Sequence, residues 1–241
     1  MSNAAVVLQA RMGSTRLPGK VLAPIAGRSV LAHCVERLRA RSGLPVIVAT
    51  TELPEDDRVA IEAARLEAPV VRGATEDVLA RYLKAAEAFG LTAVLRATAD
   101  NPAVDMDAPL RTLAILRRSG ADHVVEYGLP HGAAVEAVTT RALQQAATLA
   151  TEASDREHVT TLIRRDARFF ALPAMAPGHV RRPQIRLTVD TAADLAFMRR
   201  VFALAGAAPG APAPLAEIIT AAARALATAV PGDTTTASDV G

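Results

Sequence analysis

Residues 9–20 read Gln9-Ala10-Arg11-Met12-Gly13-Ser14-Thr15-Arg16-Leu17-Pro18-Gly19-Lys20 and directly follow an apolar run at 5–8. Gly13 and Gly19 leave the backbone free to curl its N–H groups toward an anion, Ser14 and Thr15 add hydroxyl donors, and Arg11, Arg16 and Lys20 bring positive charge. That is the equipment of a phosphate-binding loop, and a triphosphate fits it; the competing reading is a solvated basic turn. Neither GxxxxGK[ST] nor GxGxxG is present, so the loop names no particular nucleotide. Lys20 stands out because Arg has displaced Lys elsewhere: the chain's two lysines are Lys20 and Lys84. An ammonium on a flexible stem can follow a phosphate as it moves, whereas a guanidinium favours a fixed two-pronged contact.

Two carboxylates stand in comparable places. Asp100 follows the apolar run 93–97 within Thr98-Ala99-Asp100-Asn101-Pro102, and Asp190 follows the run 187–189. In open α/β sheets ligands bind beyond the carboxyl ends of the strands. The pair could therefore serve Mg²⁺, which takes one or two carboxylates plus phosphate oxygens, as needed for attack at a nucleotide phosphorus. Each also has a plainer reading: Asp190 precedes a helix and could cap it, and Asp100 could shape a turn. Ser154-Asp155-Arg156-Glu157 matches a capping box, which favours a capping role for Ser154 and Glu157 and leaves Arg156 and His158 open. His33 and Cys34 fall in an apolar-periodic segment and read as core. His123 and His131 lack metal-ligand spacing, so zinc is not supported.

The elements that must position these groups follow an alternating rhythm. Short β-rich runs at 5–8, 46–50, 70–71 and 93–97 are separated by amphipathic helices at 29–41, 59–66 and 76–89, which is the βαβ pattern of a parallel sheet. Later come a helix near 110–118, strands at 124–127 and 134–138, helices from 140 and around 158–165, a strand at 186–189, and helices at 192–204 and 215–229. One α/β domain over 1–231 is expected, with an internal Ala/Pro/Gly linker at 206–214 and a polar, disordered tail at 232–241. At 241 residues with 51% hydrophobic composition the chain can bury a large core. A net charge of +2, scattered arginines and 3% aromatic residues argue against nucleic-acid binding. One cysteine excludes an internal disulfide. No charged leader with an apolar stretch precedes the first strand, and no run approaches the ~20 residues that cross a bilayer. A cytoplasmic protein with no membrane partner is the expectation.

The stretch 9–20 resembles the QARMGSTRLPGK signature of the spore-coat polysaccharide biosynthesis protein F family, which belongs with the 3-deoxy-manno-octulosonate and acylneuraminate cytidylyltransferases. The similarity continues through Val48-Ala49-Thr50-Thr51 with Asp56-Asp57, Arg72-Gly73 with Glu76-Asp77-Val78-Leu79-Ala80-Arg81-Tyr82, and Arg96-Ala97-Thr98-Ala99-Asp100-Asn101-Pro102. It resumes at Pro130-His131-Gly132, Val135-Glu136, Arg156-Glu157-His158-Val159-Thr160 and Arg186-Leu187-Thr188-Val189-Asp190-Thr191, so it spans most of the chain.

This resemblance implies a nucleotide-diphospho-sugar transferase fold, α/β with a mostly parallel Rossmann-like sheet and helices on both faces. It implies a Mg²⁺-dependent reaction in which an acceptor hydroxyl attacks the α-phosphorus of CTP, releasing pyrophosphate. Carried onto this chain, the nucleotide falls to Gln9, Ala10, Arg11, Gly13, Ser14, Arg16, Lys20, Thr50, Arg72 and Thr98, and Mg²⁺ to Asp100 and Asp190. The small-molecule acceptor falls to Asn101, Glu136, Arg156, His158 and Arg186, with Lys20, Asp100 and Arg16 in the catalytic role. Positioning and charge neutralisation can carry such chemistry without a covalent nucleophile. Relatives often pair, so a homodimer is a further expectation. Three departures point to an altered pocket: Ala134 replaces a family Asp, Leu187 a Trp and Asn101 a Cys. They keep two other readings open, a glycosyltransferase that binds a nucleotide sugar and a nucleotide-binding protein without turnover.

Overall fold

Strand β1 (Ala4–Gln9) is the centre of the molecule, and its alternation explains the layers. Ala4, Val6 and Leu8 enter one apolar cluster while Ala5 and Val7 enter another. Such period-two burial on both faces is what a central parallel strand requires. The computed structural model describes residues 3–206 and 210–228.

Beyond the loop after β1, a two-residue hairpin, β2 (Pro24–Ile25) and β3 (Arg28–Ser29), leads into α1 (Val30–Ala40). Then follow β4 (Val46–Thr51), α2 (Asp57–Arg65), β5 (Val70–Gly73), α3 (Val78–Ala88) and β6 (Ala93–Thr98). The second half holds α4 (Ala108–Ser119), β7 (His123–Tyr127), β8 (Glu136–Thr139), α5 (Thr140–Leu149), α6 (Ala153–His158) and α7 (Thr161–Arg165). It closes with β9 (Ala171–Met175), α8 (Ala192–Leu204) and α9 (Leu215–Ala227). Side chains start several helices where the sequence offers them: Ser29, Asp77 and Thr139 each accept the backbone N–H three residues on.

Seven strands form the main sheet in the order β5-β4-β1-β6-β8-β7-β9. β5, β4, β1 and β6 run parallel, β8 is antiparallel to β6 and β7, and β9 is parallel to β7. Helices α1, α2, α4, α8 and α9 cover one face, and α3, α5 and α7 the other. The chain winds outward from β1 to β5 and then returns to place β6 on β1's other side. That reversal opens a crevice at the carboxyl ends of β1 and β6, the natural ligand position in such sheets.

Three expectations need correction, and one strand was not foreseen. Residues 186–189 are not a sheet strand. Leu187 N–H donates to His131 O (2.8 Å) and Val189 N–H to Asp100 O (2.8 Å), so the segment shares its hydrogen bonds between two loops instead of one neighbouring strand. β9 was missed because Pro173 argues against a strand, yet β9 lies at the sheet edge, where a missing N–H costs little. The single helix expected around 158–165 is broken at Val159, whose φ of 60° and ψ of −56° centre a tight turn closed by Thr160 N–H on His158 O (2.6 Å). The capping box at Ser154 does not form: α6 begins after Glu152, and Ser154, one residue inside it, turns its hydroxyl to the Glu152 carboxylate at 3.3 Å.

The reading of His33 and Cys34 as core holds. Both are buried; His33 Nε2 pairs with Ile25 O at 2.8 Å and its ring stands edge-on to Phe202. Of the expected linker, Gly210 N–H donates to Glu36 and the Ala213 carbonyl accepts from buried Arg37 (2.7 Å), while 207–209 lie outside the described residues. The tail expected at 232–241 also lies outside them.

Candidate active site

The loop leaving β1 is anchored by a carboxylate that its own sequence does not contain. Asp56, fully buried, accepts the Met12 N–H at 2.6 Å and the Thr51 hydroxyl. Gly19, at φ 73°, closes the turn by donating to Met12 O at 2.9 Å. Between these anchors the N–H groups of Gly13, Ser14, Thr15 and Arg16 donate to no protein acceptor among the described residues. Free backbone donors gathered in one turn are of the kind that can hold an anion.

The loop borders a cleft of about 810 Å³ at the β1/β6 crevice, within the roughly 300–1,000 Å³ usual for small-molecule sites. Of the nucleotide group, Gln9, Ala10, Arg11, Gly13, Ser14, Arg16, Lys20 and Thr98 line it, as do Asp100 and Asp190. Thr50 and Arg72 do not. Thr50 is buried in β4 with its hydroxyl unpaired among the described residues. Arg72 clamps the turn after β4 through Thr51 O (2.8 Å), Leu53 O (2.9 Å) and Asp57.

In the cleft lining, Lys20 Nζ stands 3.1 Å from Asp100 Oδ2 and 2.8 Å from Asp190 Oδ1. Arg16 Nη2 reaches the same Asp190 oxygen at 3.1 Å, and Arg186 holds Oδ2. Thr98 donates its hydroxyl to Asp100 Oδ1 at 2.6 Å and accepts from Asn101 Nδ2 at 2.7 Å, so Asn101 fixes the orientation of Asp100. Asp190 is released from capping duty: Thr191 caps α8 in a capping box with Asp194, which also accepts the Asp190 N–H at 3.0 Å. Partial burial alone would raise the Asp190 carboxyl, but hydrogen bonding and charge from Lys20, with Arg16 and Arg186, hold it below the usual range.

Two carboxylates from loops 90 residues apart thus meet at one ammonium, a place built to hold positive charge. Among the described residues no group of three or more His, Cys, Asp or Glu side chains forms a metal cage. The donor set suits Mg²⁺, which is commonly held by one or two carboxylates with substrate phosphates completing its shell.

Glu55, Arg58, Val78, Arg81 and Glu157 also line the cleft, and none of them was read from the sequence as part of the site. Arg81 lies across Gly73 and donates to Ala74 O and to Thr75 O (3.0 Å), while its buried Nε has no partner among the described residues. Burial lowers its guanidinium from the ordinary value. Glu157 reaches Arg11, also in the lining, at 3.7 Å.

The acceptor group scatters. Arg186 supports Asp190 from outside the cleft, and Arg156 ties α6 to the start of α3 through Asp77 (2.7 Å) and to α5 through Ala147 O (3.2 Å). His158 is exposed at the end of α6 and does not line the cleft. Glu136 is paired across the sheet with Arg96, and its other oxygen accepts from His123 Nε2 (2.7 Å) and the Thr160 hydroxyl (2.6 Å). Burial would raise this carboxyl, yet Arg96, His123 and Thr160 together hold it well below the ordinary glutamate range. With its oxygens engaged, Glu136 does not replace the carboxylate missing at Ala134.

Residues 5–212 match a family model described as Cytidylyltransferase. The chain belongs to the cytidylyltransferase family. It is 33% identical over 227 residues to the spore coat polysaccharide biosynthesis protein SpsF of Bacillus subtilis (strain 168), covering 91% of this chain and 94% of that one. The fold matches a cytidylyltransferase from Leptospira borgpetersenii serovar Hardjo-bovis (strain JB197) with a TM-score of 0.86, at 24% identity over 94% of this chain and 96% of the other. It also matches a CMP:2-keto-3-deoxy-manno-octonic acid synthetase complexed with CTP, with a TM-score of 0.66 at 20% identity, over 84% and 99% of the two chains. The seven-stranded sheet is therefore that of the nucleotidyltransferase fold, and this cytidylyltransferase-family protein is a nucleotidyltransferase enzyme.

Proposed function

We propose that this cytidylyltransferase-family member is a cytoplasmic enzyme that transfers CMP from CTP to a hydroxyl of a sugar or sugar-acid-like acceptor, with Mg²⁺ at Asp100 and Asp190. The observation that carries the reading is the convergence of Lys20, Arg16 and two carboxylates beside a loop of free N–H donors. In the reaction a bond forms between the acceptor oxygen and the α-phosphorus, the bond from that phosphorus to the bridging oxygen breaks, and pyrophosphate leaves with the electron pair. The acceptor hydroxyl gives up its proton to solvent water, so that atoms and charge balance.

The free N–H groups of 13–16 would hold the phosphate chain, and Arg16 and Lys20 would neutralise the charge that develops on the leaving pyrophosphate. Thr98 and Asn101 would keep Asp100 in one orientation, so little reorganisation is needed at the moment of reaction. Bound at Asp100 and Asp190, Mg²⁺ would supply Lewis-acid polarisation of the phosphate oxygens.

The test is thermal unfolding with CTP, UTP, GTP and ATP, each with and without Mg²⁺. A ligand present at about 100 times its dissociation constant adds about 2.7 kcal/mol. A Mg²⁺-dependent stabilisation selective for CTP, lost in Lys20→Ala and stripped of its Mg²⁺ dependence in Asp100→Ala, is the expected result. Stabilisation by a nucleotide sugar or nucleoside diphosphate and by no triphosphate would transfer the assignment to sugar transfer.

A further inference from the structure

Every oxygen of the Asp100 and Asp190 carboxylates already has a partner. Asp100 Oδ1 takes the Thr98 hydroxyl (2.6 Å) and Oδ2 the Lys20 ammonium (3.1 Å); Asp190 Oδ1 takes Lys20 (2.8 Å) and Arg16 (3.1 Å), and Oδ2 takes Arg186. The Lys20 side chain is only 11% exposed, whereas Arg16 is 64% exposed, so Lys20 is the inner cation of the cluster. Arg186 is shared with Asp194 (3.4 Å), so Lys20, Arg16 and Arg186 balance three carboxylates and leave no uncompensated negative charge to attract another cation. A divalent ion can reach this pair only if the ammonium moves off it.

We propose that Lys20 is an exchangeable internal cation that competes with the divalent metal for Asp100 and Asp190, so that tight metal binding is conditional on a polyphosphate. This rests on reading the cleft as a triphosphate site. A polyphosphate seated on the loop offers Lys20 and Arg16 new anionic partners and frees the carboxylate oxygens for the metal that arrives with it. The choice of lysine fits the task. A compact ammonium on a four-carbon stem can pass between carboxylate and phosphate oxygens, while a guanidinium would be fixed to one carboxylate by its fork. The chain's other lysine, Lys84, is 57% exposed and bonds Arg72 O and Glu52 at the surface.

The exchange is tested with Mn²⁺ alone, in the full-length protein without nucleotide, by following the electron paramagnetic resonance signal of unbound Mn²⁺. Lys20→Met and Lys20→Gln should each bind Mn²⁺ about tenfold more tightly than the parent, since both lose the competing charge. Lys20→Arg and the surface control Lys84→Met should match the parent, and Asp100→Asn added to Lys20→Met should cancel the gain. Circular dichroism melts of the two uncharged variants check that each is folded, and glutamine keeps a donor for the carboxylates if methionine disturbs them. Equal Mn²⁺ affinity in the parent and both uncharged variants would overturn the proposal. Because no nucleotide is present, that failure leaves the CTP response untouched, and a missing CTP response leaves this result standing.

Discussion

Replacing Glu136 by Gln separates a structural role from an acceptor-binding one. Glu136 and Arg96 are 13% and 16% exposed, and the glutamate also receives His123 and Thr160. Gln keeps the shape and one acceptor oxygen but removes the charge, leaving an Arg96 whose Nε already lacks a partner among the described residues. Breaking a buried pair on one side costs about 3–5 kcal/mol, and the residual exposure here sets the lower end, about 3 kcal/mol. In a domain of this size each kcal/mol moves the melting temperature by about 2–4 °C, so a fall of about 6–12 °C is expected in calorimetry at pH 7. The CTP response should survive, because Glu136 does not line the cleft. The folded-state pKa lies below the ordinary value of 4.5, so the unfolded chain takes up the proton first as pH falls. The glutamate's contribution is whole at neutral pH and shrinks below the ordinary glutamate range, so the gap between parent and variant should narrow in acid. A fall under about 1 °C, or a lost CTP response at unchanged stability, would refute the assignment.

Other consequences can be checked individually. Gly132 sits at φ 92°, and an added Cβ would meet Asn101 Oδ1 at 2.8 Å and the Thr188 backbone nitrogen at 3.1 Å. Gly132→Ala should lose about 1–3 kcal/mol in urea titration, and a parent-like midpoint would contradict the close approach. A Cβ on Gly73 would lie 2.9 Å from Arg81 Cγ. Gly73→Ala should push Arg81 from its cleft position and weaken CTP binding about tenfold, or 1.4 kcal/mol, in calorimetric titration, with unchanged affinity excluding a ligand role for Arg81. Burial pushes the Cys34 thiol far up, so a disulfide reagent at pH 8 should label it only after denaturation. Rapid labelling of the folded protein would contradict its placement in the core.

The parallel half of the sheet was legible because its signals are local. Short continuous apolar runs at 5–8, 46–50 and 93–97 and the 3.6-residue periodicity between them admit little but βαβ units. The loop at 9–20 was legible for the same reason, since glycine freedom and three cations within twelve residues work at short range. Local reasoning misled where a local rule met a distant partner. Ser154 satisfies a capping pattern yet caps nothing, and β9 carries a proline that an edge position tolerates.

The sequence by itself determined the βαβ rhythm of the first half, the glycine- and cation-rich make-up of the first loop, and the two aspartates set at the ends of apolar runs. Only the tertiary structure decided what those groups do to one another. The reversal of winding at β1 brings Lys20, Asp100 and Asp190 within 3.1 Å contacts across separations of 80 and 170 residues. It also brings Arg58 and Arg81 to the same cleft and turns Glu136 away to Arg96 and His123. The physical reason is that a residue's type states what it can bind, whereas its partner is chosen by strand register and crossover, which bury one face and open the other.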